Sequence, residues 1–377
     1  MTVFGVPELE DLGPLDGKSV LVRVDFNVPI RDGVITDDLR IQAALPTLRW
    51  LQEQGARVTA MSHLGRPKGT PNPEYSMDPV RAHLATLAPG VELLENLRFN
   101  AGEEGNDPAF VQELIAGHDA YVNDAFGASH RSHASIVGPP QFLPSAAGRL
   151  LAREVDVLLG VRNQPRRPFV AVMGGAKVSD KLSVIEALLE IVDSIIVGGG
   201  MAFTFLKAQG HQIGDSLLEE DMVETCARLL ASGATIHLPE DVTALGGGGK
   251  LFDPAAGGEV RQSGVDLPAG WMGVDIGPGT AAVFGDVIEE AGTVLWNGPM
   301  GVFEDPRFEA GTRAVATAIA ETRAFTVVGG GDSAAAAKQF GIDHDVDHVS
   351  TGGGASLELI EQGDLPGLAA LRNQHQS

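Results

Sequence analysis

Short β-branched or apolar runs alternate along this chain with longer amphipathic stretches, the pattern of βαβ units wound into a parallel sheet. In the first half the runs predict strands at Ser19 to Val24, Arg57 to Met61, Val91 to Leu94 and Ala120 to Val122. In the second half they predict strands at Phe169 to Met173, Ser194 to Val197, Thr235 to Leu238, Thr293 to Trp296 and Phe325 to Val328. Each half therefore reads as its own doubly wound sheet, and 377 residues suit two domains of roughly 100–200 residues. Leu150, Leu151, Val155, Leu158 and Leu159 recur at helical spacing, which predicts a connecting helix from Ala147 to Val161. The polar, proline-bounded stretch Asn163 to Pro168 stops it. The expected fold is α/β, two doubly wound parallel-sheet domains joined by a hinge helix.

Charge narrows what such a chain can bind. At a formal net charge of -23 the whole-molecule field repels polyanions, so nucleic acid and anionic membrane surfaces are not expected partners. A basic pocket in so acidic a chain is then informative. The single Cys226 excludes an internal disulfide framework and fits a reducing compartment. Met1 to Glu10 carries no basic flank before an apolar stretch, and no apolar run approaches the ~18 residues of a membrane span. A cytoplasmic enzyme without signal peptide is the expectation.

In open parallel sheets ligands bind outside the carboxyl ends of the strands. The residues that follow the strands differ sharply between the halves. After the first-half strands come Asp25-Phe26-Asn27, Ser62-His63-Leu64-Gly65-Arg66, Glu95-Asn96-Leu97-Arg98 and Asn123-Asp124-Ala125-Phe126, the last leading to His130-Arg131-Ser132-His133. Arginine offers a planar fork of donors to phosphate or carboxylate oxygens, and histidine adds a donor that is cationic near neutral pH. Several of them at one rim describe an anion site, although a lone arginine is as readily a solvated charge and a lone His63 or His133 as readily structural.

Glycine follows the second-half strands instead, in a chain whose 48 glycines exceed the usual share of roughly 7%. The turns are Gly174-Gly175-Ala176-Lys177-Val178-Ser179-Asp180-Lys181, Gly198-Gly199-Gly200, Asn297-Gly298-Pro299 and Gly329-Gly330-Gly331-Asp332-Ser333. Ser350-Thr351-Gly352-Gly353-Gly354 opens a further expected helix at Ala355 to Ile360. Glycine lets backbone N–H groups approach an anion and a helix start adds positive potential, so these turns describe a polyphosphate cradle. Lys177 and Lys181 lie four apart where a helix with a stripe at Leu182, Ile185, Leu188, Leu189 and Val192 begins, so both ammonium groups are expected on one helical face. Asp332 suits Mg²⁺, which binds one or two carboxylates plus phosphate oxygens, and it equally suits an N-terminal helix cap with Ser333. Gly246 to Gly258 reads as a surface loop. CxxC pairs, HExxH and GxSxG are absent, so structural zinc, metalloprotease and nucleophile-elbow readings have no support.

With these motifs in view the chain closely resembles phosphoglycerate kinases from about Leu12 to Leu371. The carrying segments are RVDFNVP from Arg23, SHLGRP from Ser62, ENLRF from Glu95, YVNDAFGASHRSHAS from Tyr121, GGAKVSDK from Gly174, GGGMAFTFL from Gly198, WNGPMGVFE from Trp296, GGGDS from Gly329 and STGGGASLELI from Ser350. The resemblance implies two Rossmann-like domains, residues 1–160 for phosphoglycerate and residues 161–362 for nucleotide, with a tail 363–377 returning to the first. It implies reversible, Mg²⁺-dependent phosphoryl transfer between 1,3-bisphosphoglycerate and ADP, by a monomer that closes about its hinge. Phosphoglycerate would then meet Asp25, Phe26, Asn27, Arg40, His63, Leu64, Gly65, Arg66, Arg98 and Arg131. The nucleotide would meet Gly175, Lys177, Lys181, Gly198, Gly199, Asn297, Glu304, Gly330, Gly331, Asp332 and Ser333, with Asp332 near the metal. Arg40, Lys177, Lys181 and the helix start Gly352, Gly353, Gly354 would bear on the phosphoryl in flight. A dinucleotide-dependent dehydrogenase, suggested by Gly329, Gly331 and Ala334, leaves the arginine rim and the lysine pair unexplained. A catalytically inactive anion-binding protein leaves Lys177, Lys181 and Asp332 unexplained.

Overall fold

Every residue of Ser19–Val24 (β1) is buried in the computed structural model, which describes residues 4–374. A strand covered on both faces belongs inside a parallel sheet flanked by helices. Past a short hairpin of Ile30–Arg31 (β2) and Val34–Ile35 (β3), the chain adds Arg57–Met61 (β4) and Glu92–Leu93 (β5) on one side of β1. Ala120–Asp124 (β6) and Ser145–Ala147 (β7) follow on the other, giving the order β5-β4-β1-β6-β7 with every pairing parallel.

The second sheet repeats this plan. It starts at Phe169–Met173 (β8) and grows one way through Ser194–Val197 (β9) and Thr235–His237 (β10). The chain then makes a small antiparallel sheet of Asp241–Gly246 (β11), Glu259–Gly264 (β12) and Met272–Ile276 (β13), with β11 in the middle. It returns on the far side of β8 with Thr293–Asn297 (β14), Phe325–Val328 (β15) and His348–Val349 (β16), all parallel. Strand order thus reverses between β1 and β6 and again between β8 and β14. Those two reversals are the switch points where open α/β sheets leave a crevice.

Each sheet has its own core. In the first, the helix Leu39–Glu53 lays Ile41, Leu45 and Leu48 on Val20 and Val22; in the second, Trp296, Phe284 and Ile319 pack with Val170 and Val294. Each such fully buried aliphatic side chain contributes about 1.5–3 kcal/mol relative to exposure. The chain divides into two compact units, one of residues up to 160 together with those from 354 onward, the other of residues 161–353. The helix Gly354–Gln362 groups with the first unit, where the sequence reading placed everything to residue 362 in the second. Of the expected tail, residues 375–377 lie outside the described residues, and Pro366–Arg372 is a helix of the first unit.

All the strands expected from sequence form, with ends shifted by no more than two residues. The connecting helix runs Arg149–Asn163 rather than Ala147 to Val161, because Ala147 is still paired in β7. Its start is set by Asp124 at the end of β6, whose Oδ1 accepts from Leu150 N at 2.9 Å and Leu151 N at 3.2 Å. Residue 148 must be glycine there, since a Cβ would stand 2.2 Å from that oxygen. The division between the units falls inside this helix.

Candidate active site

At the first switch point side-chain hydrogen bonds tie the segments that follow the strands to one another. Asp25, directly after β1, accepts from Arg40 Nη1 at 2.9 Å, and Asn27 Oδ1 accepts from Gly65 N at 2.9 Å. Arg98 in turn donates from Nη1 to Gly65 O at 2.8 Å. Three post-strand segments, after β1, β4 and β5, are thereby locked into one rim. Arg66 and Arg131 are exposed, while Phe26 and Leu64 are core side chains that can offer a ligand only their backbone.

Beneath the rim lies a layer the sequence reading missed. Arg23 on β1 is fully buried; its Nε donates to Ser135 Oγ at 2.8 Å, and its remaining nitrogens reach Val24 O and, at 3.2 Å, His63 Nδ1. Ser135 passes the contact on, donating from Oγ to Glu103 Oε1 at 2.6 Å and from N to Oε2 at 2.9 Å. Burial would raise the fully buried Glu103 carboxyl, but His133, Arg23 and Ser135 outweigh it and hold it below the usual range. Only the charge of Arg23 inside the otherwise apolar run Val20 to Val24 could have signalled this layer.

The network corrects the reading of His63 as a cation. Burial pushes its imidazole down to about 3, and Arg23 adds to the effect, so the ring is neutral at pH 7. Because a guanidinium only donates, Nδ1 must be the acceptor and the proton sits on Nε2. Asp25 is likewise pulled two ways: burial raises it, and His63, Arg40 and Arg23 together bring it below its ordinary value. With His63 neutral, the two arginines do this at physiological pH. Burial first, and after it the neighbouring Arg23 and Arg66, pull Arg98 below its ordinary value against Glu104 and Glu103, so part of the shift comes from cations crowded together. A bound anion would relieve that crowding.

At the second switch point the glycines lock to one another. Gly174 N donates to Asn297 O at 2.9 Å, Gly175 N to Pro299 O at 3.1 Å and Gly199 N to Met300 O at 3.0 Å. Gly298 has φ +102°, and a Cβ there would stand 2.3 Å from Gly174 O. Gly198 N goes to Met173 O, and Gly298 N to Ser333 Oγ at 2.5 Å. The expected cradle of free N–H groups is therefore corrected: in the turns after β8, β9 and β14 these donors are spent on the interlock. The turn Gly330–Ser333 differs, since it opens the helix Gly331–Phe340 and leaves that helix's first N–H groups without intrahelical partners. Ser333 itself is fully buried.

Lys181 fastens β8 to β14. Its ammonium donates to Gly174 O at 2.8 Å, to Asn297 O at 3.0 Å and to Asn297 Oδ1. Burial lowers it to about 8, against the opposing pull of Asp332 and Asp180. Lys177 and Lys181 do not share a helical face, because the helix starts only at Leu182 with Lys181 at its N-cap. Glu219 captures the N–H groups of Val178 and Ser179 at 2.6 and 3.1 Å, which holds the preceding segment as a loop and leaves Lys177 exposed on it.

Beside the interlock opens a cavity of about 510 Å³. Of the expected nucleotide residues, Gly175, Gly199, Glu304 and Asp332 line it. Gly198, Asn297 and Lys181 belong to the interlock behind it. Its apolar walls were not foreseen: Phe203, Leu217, Phe252, Met272 and Gly273 form much of them. The last two sit on β13 of the antiparallel sheet, and Phe252 sits in the glycine-rich stretch read as loop. Gly352, Gly353 and Gly354 follow β16, two strands beyond β14, and open the helix Gly354–Gln362. No group of three or more potential metal-ligating side chains occurs among the described residues. No helix among them is long and apolar enough to cross a membrane.

Two parallel doubly wound units, one with a cationic rim and one with interlocked glycine turns beside an apolar cavity, define a two-domain α/β class that handles phosphorylated ligands. A family model described as phosphoglycerate kinase matches residues 9–92 and 87–363. The phosphoglycerate kinase of Salinispora arenicola is 53% identical over 405 residues, covering 98% of this chain and 100% of that one. That of Rubrobacter xylanophilus is 51% identical over 382 residues, covering 95% and 96%. The solved structure of phosphoglycerate kinase from Coxiella burnetii matches with a TM-score of 0.89 at 37% identity, over 97% of this chain and 98% of that one. The chain belongs to the phosphoglycerate kinase family.

Proposed function

We propose that this chain catalyses reversible transfer of the acyl phosphate of 1,3-bisphosphoglycerate to ADP, giving 3-phosphoglycerate and ATP, a kinase step of glycolysis. Half-identity to named relatives over nearly the whole chain supports the activity. The structural observation that carries it is the coincidence of each switch point with the chemistry its substrate needs. The unit of residues up to 160 and from 354 holds the phosphoglycerate at Asp25, Asn27, Arg40, His63, Arg66, Arg98 and Arg131. The unit 161–353 holds the nucleotide in the cavity beside Gly175, Gly199 and Glu304, with its phosphates toward Gly330, Gly331 and Asp332.

The chemistry needs no general base. Whichever direction is run, the attacking oxygen belongs to an ionised phosphate or carboxylate. Rate then comes from positioning and from charge placed on the phosphoryl in flight. Arg40 and Lys177 supply that charge, with the helix start at Gly352 to Gly354. Neutral His63 donates from Nε2 to the substrate. Lys181, whose three protons are given to the turns, acts through its field. The exposed Asp332 carboxylate at a helix start fits Mg²⁺ bound through one carboxylate and phosphate oxygens, and the ion would offset phosphate charge. An acyl phosphate hydrolyses in water, so transfer requires the substrates to meet with water excluded.

Lys181 gives a test of the nucleotide site. Its folded value of about 8 lies below the ordinary 10.5, so the unfolded chain holds more protons between those limits and this group's contribution to stability rises with pH there. A polyphosphate nearby favours the ammonium and raises the folded value. ADP binding at about pH 9 is therefore expected to take up a substantial fraction of a proton, and much less at about pH 7. Titration calorimetry in buffers of different ionisation heat reads this directly. Equal uptake at both pH values, or binding of NAD without ADP, contradicts the assignment.

A further inference from the structure

Asp275 on β13 is a buried carboxylate, 3% exposed, that the transfer chemistry does not use. Its Oδ2 accepts from Gly311 N at 2.6 Å and its Oδ1 from Ile276 N at 3.0 Å. Gly311 lies in the first turn of the helix Ala310–Glu321, whose own N-cap residue, Glu309, makes no side-chain cap. Asp275 thus caps that helix from another strand, where the dipole favours a negative group. The approach is close enough to exclude other residues: a Cβ on Gly301 or Gly311 would stand 2.2 or 2.4 Å from Asp275 Oδ1.

The same helix holds the opposite wall of the cavity. Thr312 Oγ1 accepts from Met300 N at 3.1 Å and Gly301 N at 3.2 Å, and Val302 N donates to Val274 O at 2.9 Å. Met272 to Ile276 form one side of the cavity, and Pro299 to Val302 with Glu304 form another. A Cβ on Gly273 would come within 1.9 Å of the Phe203 ring, so this wall has no slack. We infer that Asp275 and Thr312 are positioning residues for the nucleotide, fixing the spacing between the Gly273–Val274 wall and the Met300–Glu304 wall through the first turn of the helix Ala310–Glu321. Burial pushes the Asp275 carboxyl up to about 7, as expected for a charge held only by two N–H groups. The inference rests on the nucleotide assignment above and extends it to residues that touch no reacting atom.

The test compares Asp275→Asn, Thr312→Val and Thr312→Ser with the unsubstituted chain, by steady-state kinetics and by direct ADP binding. In Asp275→Asn an amide N–H replaces one acceptor, and a roughly tenfold rise in nucleotide KM with an equal loss of ADP affinity is expected. The KM for 3-phosphoglycerate stays within about twofold, a split that general loosening of the fold would not give. Thr312→Val behaves likewise, and Thr312→Ser, which keeps the oxygen, restores ADP affinity. ADP affinity within about twofold of normal in Asp275→Asn, or both KM values rising together, overturns the inference. If Asp275→Asn does not fold, the Thr312 pair decides on the same criteria. Failure of the unsubstituted chain to bind ADP overturns the nucleotide assignment itself and is read separately.

Discussion

Lys177→Ala lowers kcat by about 10²–10³-fold, the usual cost of removing one group that stabilises charge in the transition state. The side chain is exposed on the loop between β8 and the helix Leu182–Leu189, so its loss changes stability by no more than about 0.5 kcal/mol. Kinetics then read chemistry rather than folding. The KM values for both substrates move little, because the interaction is strongest when the phosphoryl is between donor and acceptor. Steady-state rates with thermal melts check this, and a kcat within about threefold of normal removes Lys177 from the mechanism.

Arg23→Met carries the largest expected loss of stability, about 3–5 kcal/mol. The substitution fills the space but breaks the path from Glu103 through Ser135 to a guanidinium, leaving the buried carboxylate with His133 as its remaining neighbouring counter-group. It also removes the donor that keeps His63 in the Nε2–H tautomer, so 3-phosphoglycerate binding weakens with stability. Adding Glu103→Leu removes the stranded charge and returns part of the loss, the non-additivity expected of groups in one network. Chemical denaturation of the single and double variants measures it. Additive losses, or a single-variant loss under about 1 kcal/mol, would mean the buried network is not a coupled unit.

The strands were legible because parallel-sheet interiors are written as largely apolar runs, and β1 and β8 are buried at every position, Arg23 of β1 included. The segments of the candidate site were legible because they follow those runs immediately, as Asp25 follows Val24 and the glycine turn at Gly174 follows Met173. What lay between distant segments was not. Arg23, Ser135 and Glu103 meet across 112 and 32 residues, and although the charge inside β1 calls for a partner, nothing local says which residue supplies it. The cavity walls on β13 escaped because β11 to β13 form an antiparallel sheet through a polar, glycine-rich stretch lacking a strand's alternation. The helical face proposed for Lys177 and Lys181 failed for a related reason: Glu219, some 40 residues on, captures the loop's N–H groups and delays the helix. Spacing reports potential neighbours; capping partners from elsewhere decide where an element begins.

Acyl-phosphate transfer can be watched as it happens by phosphorus NMR of the protein with ATP, Mg²⁺ and 3-phosphoglycerate. With hydroxylamine present to displace phosphate from the acyl phosphate, the γ-phosphate signal of ATP falls only when 3-phosphoglycerate is supplied, as ADP, the hydroxamate and inorganic phosphate form. ATP left intact in the complete mixture, or phosphate released at the same rate without 3-phosphoglycerate, would mean that this chain does not phosphorylate the carboxylate.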